Sequence, residues 1–154
     1  DRLKASGIKP GALPSLLSPE QRVAVYKLYI DSTVGPSKAS NGKISGVDIL
    51  DDRIGDNNTI CAVADTLFRE GGPTGTTLIQ EAINKTFADN GYSKSVGVDG
   101  NFGSQSLSAI GSFAKSSATR KQFIDNLMDG RNARRNNSPN FNGERARTNS
   151  FRLL

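Results

Sequence analysis

Apolar residues recur along this chain with the period of a helix. Ile60, Val63, Ala64 and Leu67 fall at i, i+3, i+4 and i+7, one face of an amphipathic helix that starts near Asn58. Gly71, Gly72 and Pro73 stop it. A second run over residues 75–90 turns Leu78, Ile79, Ala82, Ile83 and Phe87 inward, with Gly91 as its C-terminal cap. Ser104 caps a third helix with Leu107, Ile110, Phe113 and Ala114 inward. Ser117 opens a fourth with Phe123, Ile124, Leu127 and Met128 inward, ended by Gly130. Upstream, Ser18, Pro19 and Gln21 make a helix start: a Ser N-cap, Pro at the first position and Gln at the capping-box position. Val23, Tyr26 and Ile30 carry that helix to about Asp31.

Between these runs the chain reads as connection. Residues 1–17 are an irregular lead-in. Residues 32–57 are a long Gly-containing loop with one short helical turn around 47–50, and residues 92–103 are rich in turn formers. Beyond Gly130 the sequence is polar, rich in Asn and Arg, and without period. No alternating pattern of strand type competes, so the fold class is all-α, about five helices with long Gly-rich loops.

Composition narrows the chemistry. The 154 residues hold no histidine and one cysteine, Cys61, which removes Cys/His zinc sites, intrachain disulfides and His-dependent nucleophilic triads. Cys61 borders the apolar stripe of its helix and reads as a buried thiol. No run approaches the roughly 20 apolar residues of a membrane span, and no secretory signal is visible in a chain that begins at Asp1, so it reads as a fragment or processed product. The net charge of +5 is uneven. From Lys115 onward nine Lys/Arg stand against three Asp/Glu, leaving eleven against twelve elsewhere. A basic tail on a near-neutral body suits a polyanionic partner: nucleic acid, teichoic acid, an anionic membrane or peptidoglycan.

One stretch carries a motif. Val98, Asp99, Gly100, Asn101, Phe102 and Gly103, followed by Ser104, Gln105, Ser106 and Leu107, form a loop-to-helix device. Its glycines permit backbone angles closed to other residues, Phe102 can plug the core, and Asp99 can accept hydrogen bonds within the turn. It resembles the VDGxFGxxT signature of helical peptidoglycan-binding domains. Asp65, Thr66, Leu67 and Phe68 lie upstream, then Gly71, Gly72 and Pro73, then Leu78, Ile79, Gln80, Glu81, Ala82, Ile83 and Asn84. That order resembles the C-terminal peptidoglycan domain of glycoside hydrolase family 108 lysozymes, found in phage endolysins and type VI secretion effectors. Tyr26 and Tyr29 match the family's Tyr-containing helix, while Phe141, Gly143 and Arg147 match its closing segment. Two departures stand out: nothing in residues 1–17 matches the family's catalytic-Glu segment, and Ile30 and Glu144 stand where the family has Trp.

The resemblance implies a muramidase that hydrolyses the β-1,4 bond between N-acetylmuramic acid and N-acetylglucosamine, with this chain supplying the substrate-gripping part and needing no cofactor. Residues 18–57 would be the end of the lysozyme-like catalytic region, 58–130 the peptidoglycan-binding region and 131–154 a basic C-terminal segment. The implied partners are bacterial peptidoglycan and an N-terminal catalytic segment or a secretion or phage partner. The place of action is the periplasm or cell wall. Tyr26, Tyr29, Asp65, Arg69, Gln80, Asn84, Tyr92 and Asp99 are the expected polar or stacking contacts, and Arg145 and Arg147 the contacts to anionic groups.

Within the chain, Glu70 is the one weak candidate for the general acid, since Glu70, Gly71 and Gly72 repeat the family's EGG. Its plainer reading is a solvated residue at a helix end. Glu81 is a second exposed carboxylate with no better claim, and Glu20 belongs to a helix first turn. Asp65 and Arg69 are spaced to form a helix-surface pair. Asp48, Asp51, Asp52 and Asp56 lack the ligand order of a calcium loop and read as solvated acids. Two rival functions stay open: a wall-binding module that catalyses nothing, and an anionic-polymer binder, nucleic acid included, that uses Arg131, Arg134, Arg135, Arg145, Arg147 and Arg152.

Overall fold

The computed structural model describes Ser18, Gln21, Ile30, Val34, residues 38–39, 42–43, 46–134 and 141–153. Among these the architecture is all-α. The helices are α1 Gly46–Ile54, α2 Asn57–Glu70, α3 Gly72–Asp89, α4 Ser104–Ala114, α5 Ser117–Arg134 and α6 Phe141–Ser150, closed by a 3-10 turn at Phe151–Leu153. A two-residue antiparallel pair, β1 Lys38–Ala39 with β2 Gly42–Lys43, stands ahead of α1. No helix among the described residues is long and apolar enough to cross a membrane.

The expected capping box is present: the Ser18 hydroxyl accepts from the Gln21 amide at 3.2 Å, and the Gln21 side chain accepts from the Ser18 amide at 3.0 Å. The body of the helix it opens lies outside the described residues, Tyr26 and Tyr29 with it.

Other boundaries differ from the sequence expectation. The acidic stretch before residue 57 is not a loop: Asp48, Asp51 and Asp52 lie on the nine-residue α1. Its inner face, Ile49, Leu50 and Ile54, was hidden by the acids between them. Asp56 caps α2, accepting from the Thr59 amide at 2.9 Å and hydroxyl at 2.7 Å. Helix α3 begins at Gly72, so Pro73 opens it instead of merely separating two helices. Ser104 is the first helical residue of α4, and Gly103 occupies its N-cap without a side-chain bond. Helix α5 runs through Gly130 to Arg134. Its last turn is held by tertiary contacts that offset the weak helix propensity of glycine. The aperiodic tail holds a further helix, α6, which packs on α5 together with the 3-10 turn.

One hydrophobic cluster gathers residues from every helix through α5. Leu50, Val63, Leu67, Ile79, Ile83, Ile110, Phe123, Leu127 and Met128 are fully buried, each worth about 1.5–3 kcal/mol of transfer free energy. Helix α3 packs chiefly on α5 and α2, while α1 packs on α4. The α1–α4 approach needs Gly111, since a Cβ there would stand 2.4 Å from the Arg53 carbonyl oxygen. Tyr92, Phe87, Phe113 and Phe123 form an aromatic ladder with centroids 6.2, 5.0 and 5.6 Å apart, tying the end of α3 to α4 and α5.

Candidate functional site

Helix α3 carries two amides one turn apart, Gln80 and Asn84, and both grip the backbone of the connection to α4. The Gln80 carbonyl accepts from the amides of Asp99 and Gly100, each at 3.1 Å. Its amide nitrogen donates to Asp99 Oδ1 and to the Asn101 carbonyl, each at 3.0 Å, with Ser106 Oγ at 3.4 Å. Asn84 donates to the Val96 carbonyl at 2.9 Å and accepts from the Val96 amide at 2.7 Å. Within the turn Asp99 Oδ1 also accepts from the Asn101 amide at 2.9 Å. That bond and the one from Gln80 hold the Asp99 carboxyl below the usual aspartate range. Gly100 sits at φ 74°, where L side chains are disfavoured, with Phe102 plugged into the core beside it.

The pinned connection leaves a groove against the outer face of α4. Its first part, about 460 Å³, is lined by Lys94, Ser95, Val96, Ser104, Gln105, Ser108 and Ser112 over a floor of Phe87 and Ala109. The adjoining part, about 380 Å³, shares Val96, Ser104 and Gln105 and adds Gln80, Gly97, Asp99, Asn101, Gly103 and Ser106. Ser104, Ser108 and Ser112 recur at i, i+4 and i+8, the outward counterpart of the apolar stripe through Leu107 and Ile110. Ser108 accepts from Arg53 at 2.7 Å, whereas the side chains of Lys94, Ser95, Ser104 and Gln105 have no partner among the described residues. The groove therefore offers hydroxyl, amide and ammonium groups over a narrow apolar floor, the makeup of a site for a polar ligand.

Glu70 lies elsewhere, and it is not solvated. Its side chain is fully buried, with Arg131 Nε at 3.4 Å from Oε1 and Arg134 Nε at 3.0 Å from Oε2. Asp65, 2% exposed, accepts from Arg131 Nη1 at 2.9 Å, and Thr66 Oγ1 lies 3.4 Å from the same nitrogen. Asp65 is thus a buried member of an ionic cluster between α2 and α5. Arg131 is 1% exposed, and its Nη2 has no hydrogen-bond partner among the described residues. The Glu70 carboxyl is thus engaged by two guanidiniums between α2 and α5 and does not line the groove.

The other expected contacts scatter. Tyr92 is 60% exposed at the end of α3, where its amide bonds to the Phe87 carbonyl at 2.9 Å and that of Gly91 to Ala88 at 3.0 Å. This is a Schellman motif, and the Tyr92–Phe87 ring contact is its hydrophobic clasp. Arg69 is exposed at the end of α2, Glu81 is exposed on α3, and Arg145 is exposed on α6, which also carries Arg147. Arg145 does not line the groove. Cys61 is exposed, since it falls on the outer side of α2. Three arginines of the basic tail are engaged within the molecule. Arg152 bonds Asp129 and Asn149 and stands 3.5 Å from Asp125; Arg134 holds Glu70, and Arg131 is buried.

Sequence reasoning missed Lys94, Ser95, Ser104, Gln105, Ser108 and Ser112. The four-residue spacing of the α4 serines was the available signal.

Fold and site together define an all-α domain with a polar groove built on a helix-pinned turn. No family model, curated protein or solved structure matches the chain.

Proposed function

We propose that this chain is a peptidoglycan-binding module of a muramidase-type cell-wall hydrolase, gripping the wall while the general acid comes from outside the described residues. The observation that carries the reading is the groove beside the Asp99–Gly100–Asn101 turn, with its unpartnered polar side chains and its rigid backing from Gln80 and Asn84. The burial of Glu70 in an ionic cluster supports binding without cleavage. The burial of Arg131 and the internal pairing of Arg134 and Arg152 count against an anionic-polymer binder that relies on those three charges.

The test is co-sedimentation with purified sacculi alongside a turbidity assay, using the chain and its Ser108→Trp variant, which fills the groove from an exposed position. The chain should sediment with sacculi and leave turbidity unchanged, and the variant should stay in the supernatant with an unaltered circular dichroism spectrum. Equal sedimentation of the variant would refute the groove. Binding that falls steeply with salt and extends equally to nucleic acid would favour the arginine reading.

A further inference from the structure

The polar groups along the groove differ in sign from one part to the other. Lys94 lines only the first part and Asp99 only the second. Asp99 spends Oδ1 on the turn, whereas Oδ2 has no partner among the described residues, and the Lys94 side chain likewise has none. They stand five positions apart, so their Cα atoms are at most about 18 Å apart, a span that an extended peptide of about five residues covers.

The backbone between them is also available. Asn84 takes both the N–H and the C=O of Val96, as one residue does to its opposite in an antiparallel ladder. In such a backbone the groups of the flanking residues face the other way. Ser95 and Gly97 both line the groove, and neither has a backbone partner among the described residues. Glycan recognition usually rests on exposed aromatic faces, yet among the described residues the only aromatic lining the groove is Phe87, at 9% exposure.

We propose that the groove binds the peptide stem of peptidoglycan and not its sugar strand. The stem lies extended along Ser95 and Gly97, with a carboxylate at Lys94 and the free amine of its diamino acid at Asp99. This rests on the peptidoglycan reading above and names the part of the polymer that is held. Backbone pairing supplies affinity and the two charges fix direction, the mode of an added strand. The α4 serines leave room for small side chains on the facing wall.

Three probes separate the alternatives by chemical-shift titration of the whole chain. They are a sugar-free stem tetrapeptide containing a diamino acid, the same peptide N-acetylated on the side-chain amine, and glycan strands stripped of peptide. The tetrapeptide should shift the amides of Ser95, Gly97 and Ser104. Acetylation, or Lys94→Glu in the protein, should each weaken it by about two- to five-fold, the worth of an exposed charge pair. Binding of stripped glycan without binding of the tetrapeptide would overturn the stem assignment and leave the module reading standing. Failure of both soluble probes while sacculi still sediment would also overturn it. Failure with sacculi as well would remove both readings. Equal binding of the acetylated peptide, with Lys94→Glu unchanged, would overturn the charge assignment on which the proposal is built.

Discussion

Replacing Arg131 by methionine tests the buried ionic cluster that holds Glu70 between α2 and α5. Arg131 bonds Asp65 at 2.9 Å and stands 3.4 Å from Glu70. All three are nearly or wholly removed from solvent. The substitution keeps Arg134 at 3.0 Å from Glu70, while Asp65, with 3% side-chain exposure, loses the Arg131 guanidinium. Removing one partner of a buried ion pair costs about 3–5 kcal/mol, mostly from the charge left behind. For a domain of this size that corresponds to a fall in Tm of about 6–20 °C. Urea unfolding followed by circular dichroism measures it directly. The triple variant Asp65→Leu, Glu70→Met, Arg131→Met should regain most of the loss, because apolar residues of similar volume replace a buried ionic cluster at little cost. Sedimentation with sacculi should be unchanged in that triple variant, since none of the three residues lines the groove. A single variant within about 1 kcal/mol of the parent would refute the reasoning, being the worth of a solvated pair. So would a triple variant no more stable than the single one.

Two further outcomes follow from the turn. Gln80→Leu removes the acceptor for two backbone amides and the donor to Asn101, and should cost about 1–3 kcal/mol. Hydrogen exchange should speed up at residues 99–101 and not within α5, and wall binding should weaken; unchanged exchange at the turn would show that Gln80 does not hold it. The folded Asp99 carboxyl is held below its ordinary value of 3.8, so its contribution is present above that value and is lost as pH falls through the lower folded value. The Asn101 amide resonance should therefore titrate below pH 3.8 in the parent and lose that step in Asp99→Asn; a midpoint above the ordinary value would contradict the bonding described.

The sequence by itself determined the helices that own an apolar stripe. In α2, α3, α4 and the first part of α5, the spacing of Val63 with Leu67, Ile79 with Ile83, and Phe123 with Leu127 declares which face is buried, whatever it packs against. The capping box at Ser18 and Gln21 was equally legible, because its bonds span three residues. Only the tertiary structure decided the rest. Helix α6 has no apolar stripe and forms against α5, where Arg152 and Asn149 meet partners more than fifteen residues away. Gln80 and Asn84 were legible as residues of consequence, but their role as pins depends on a loop twelve to twenty-one positions downstream. Glu70 read as a helix-end carboxylate because its guanidinium partners lie 61 and 64 residues along the chain. The groove was beyond the sequence for the same reason. Its walls are an irregular segment and the outward face of α4, and their separation is set by packing between helices, which no local pattern encodes.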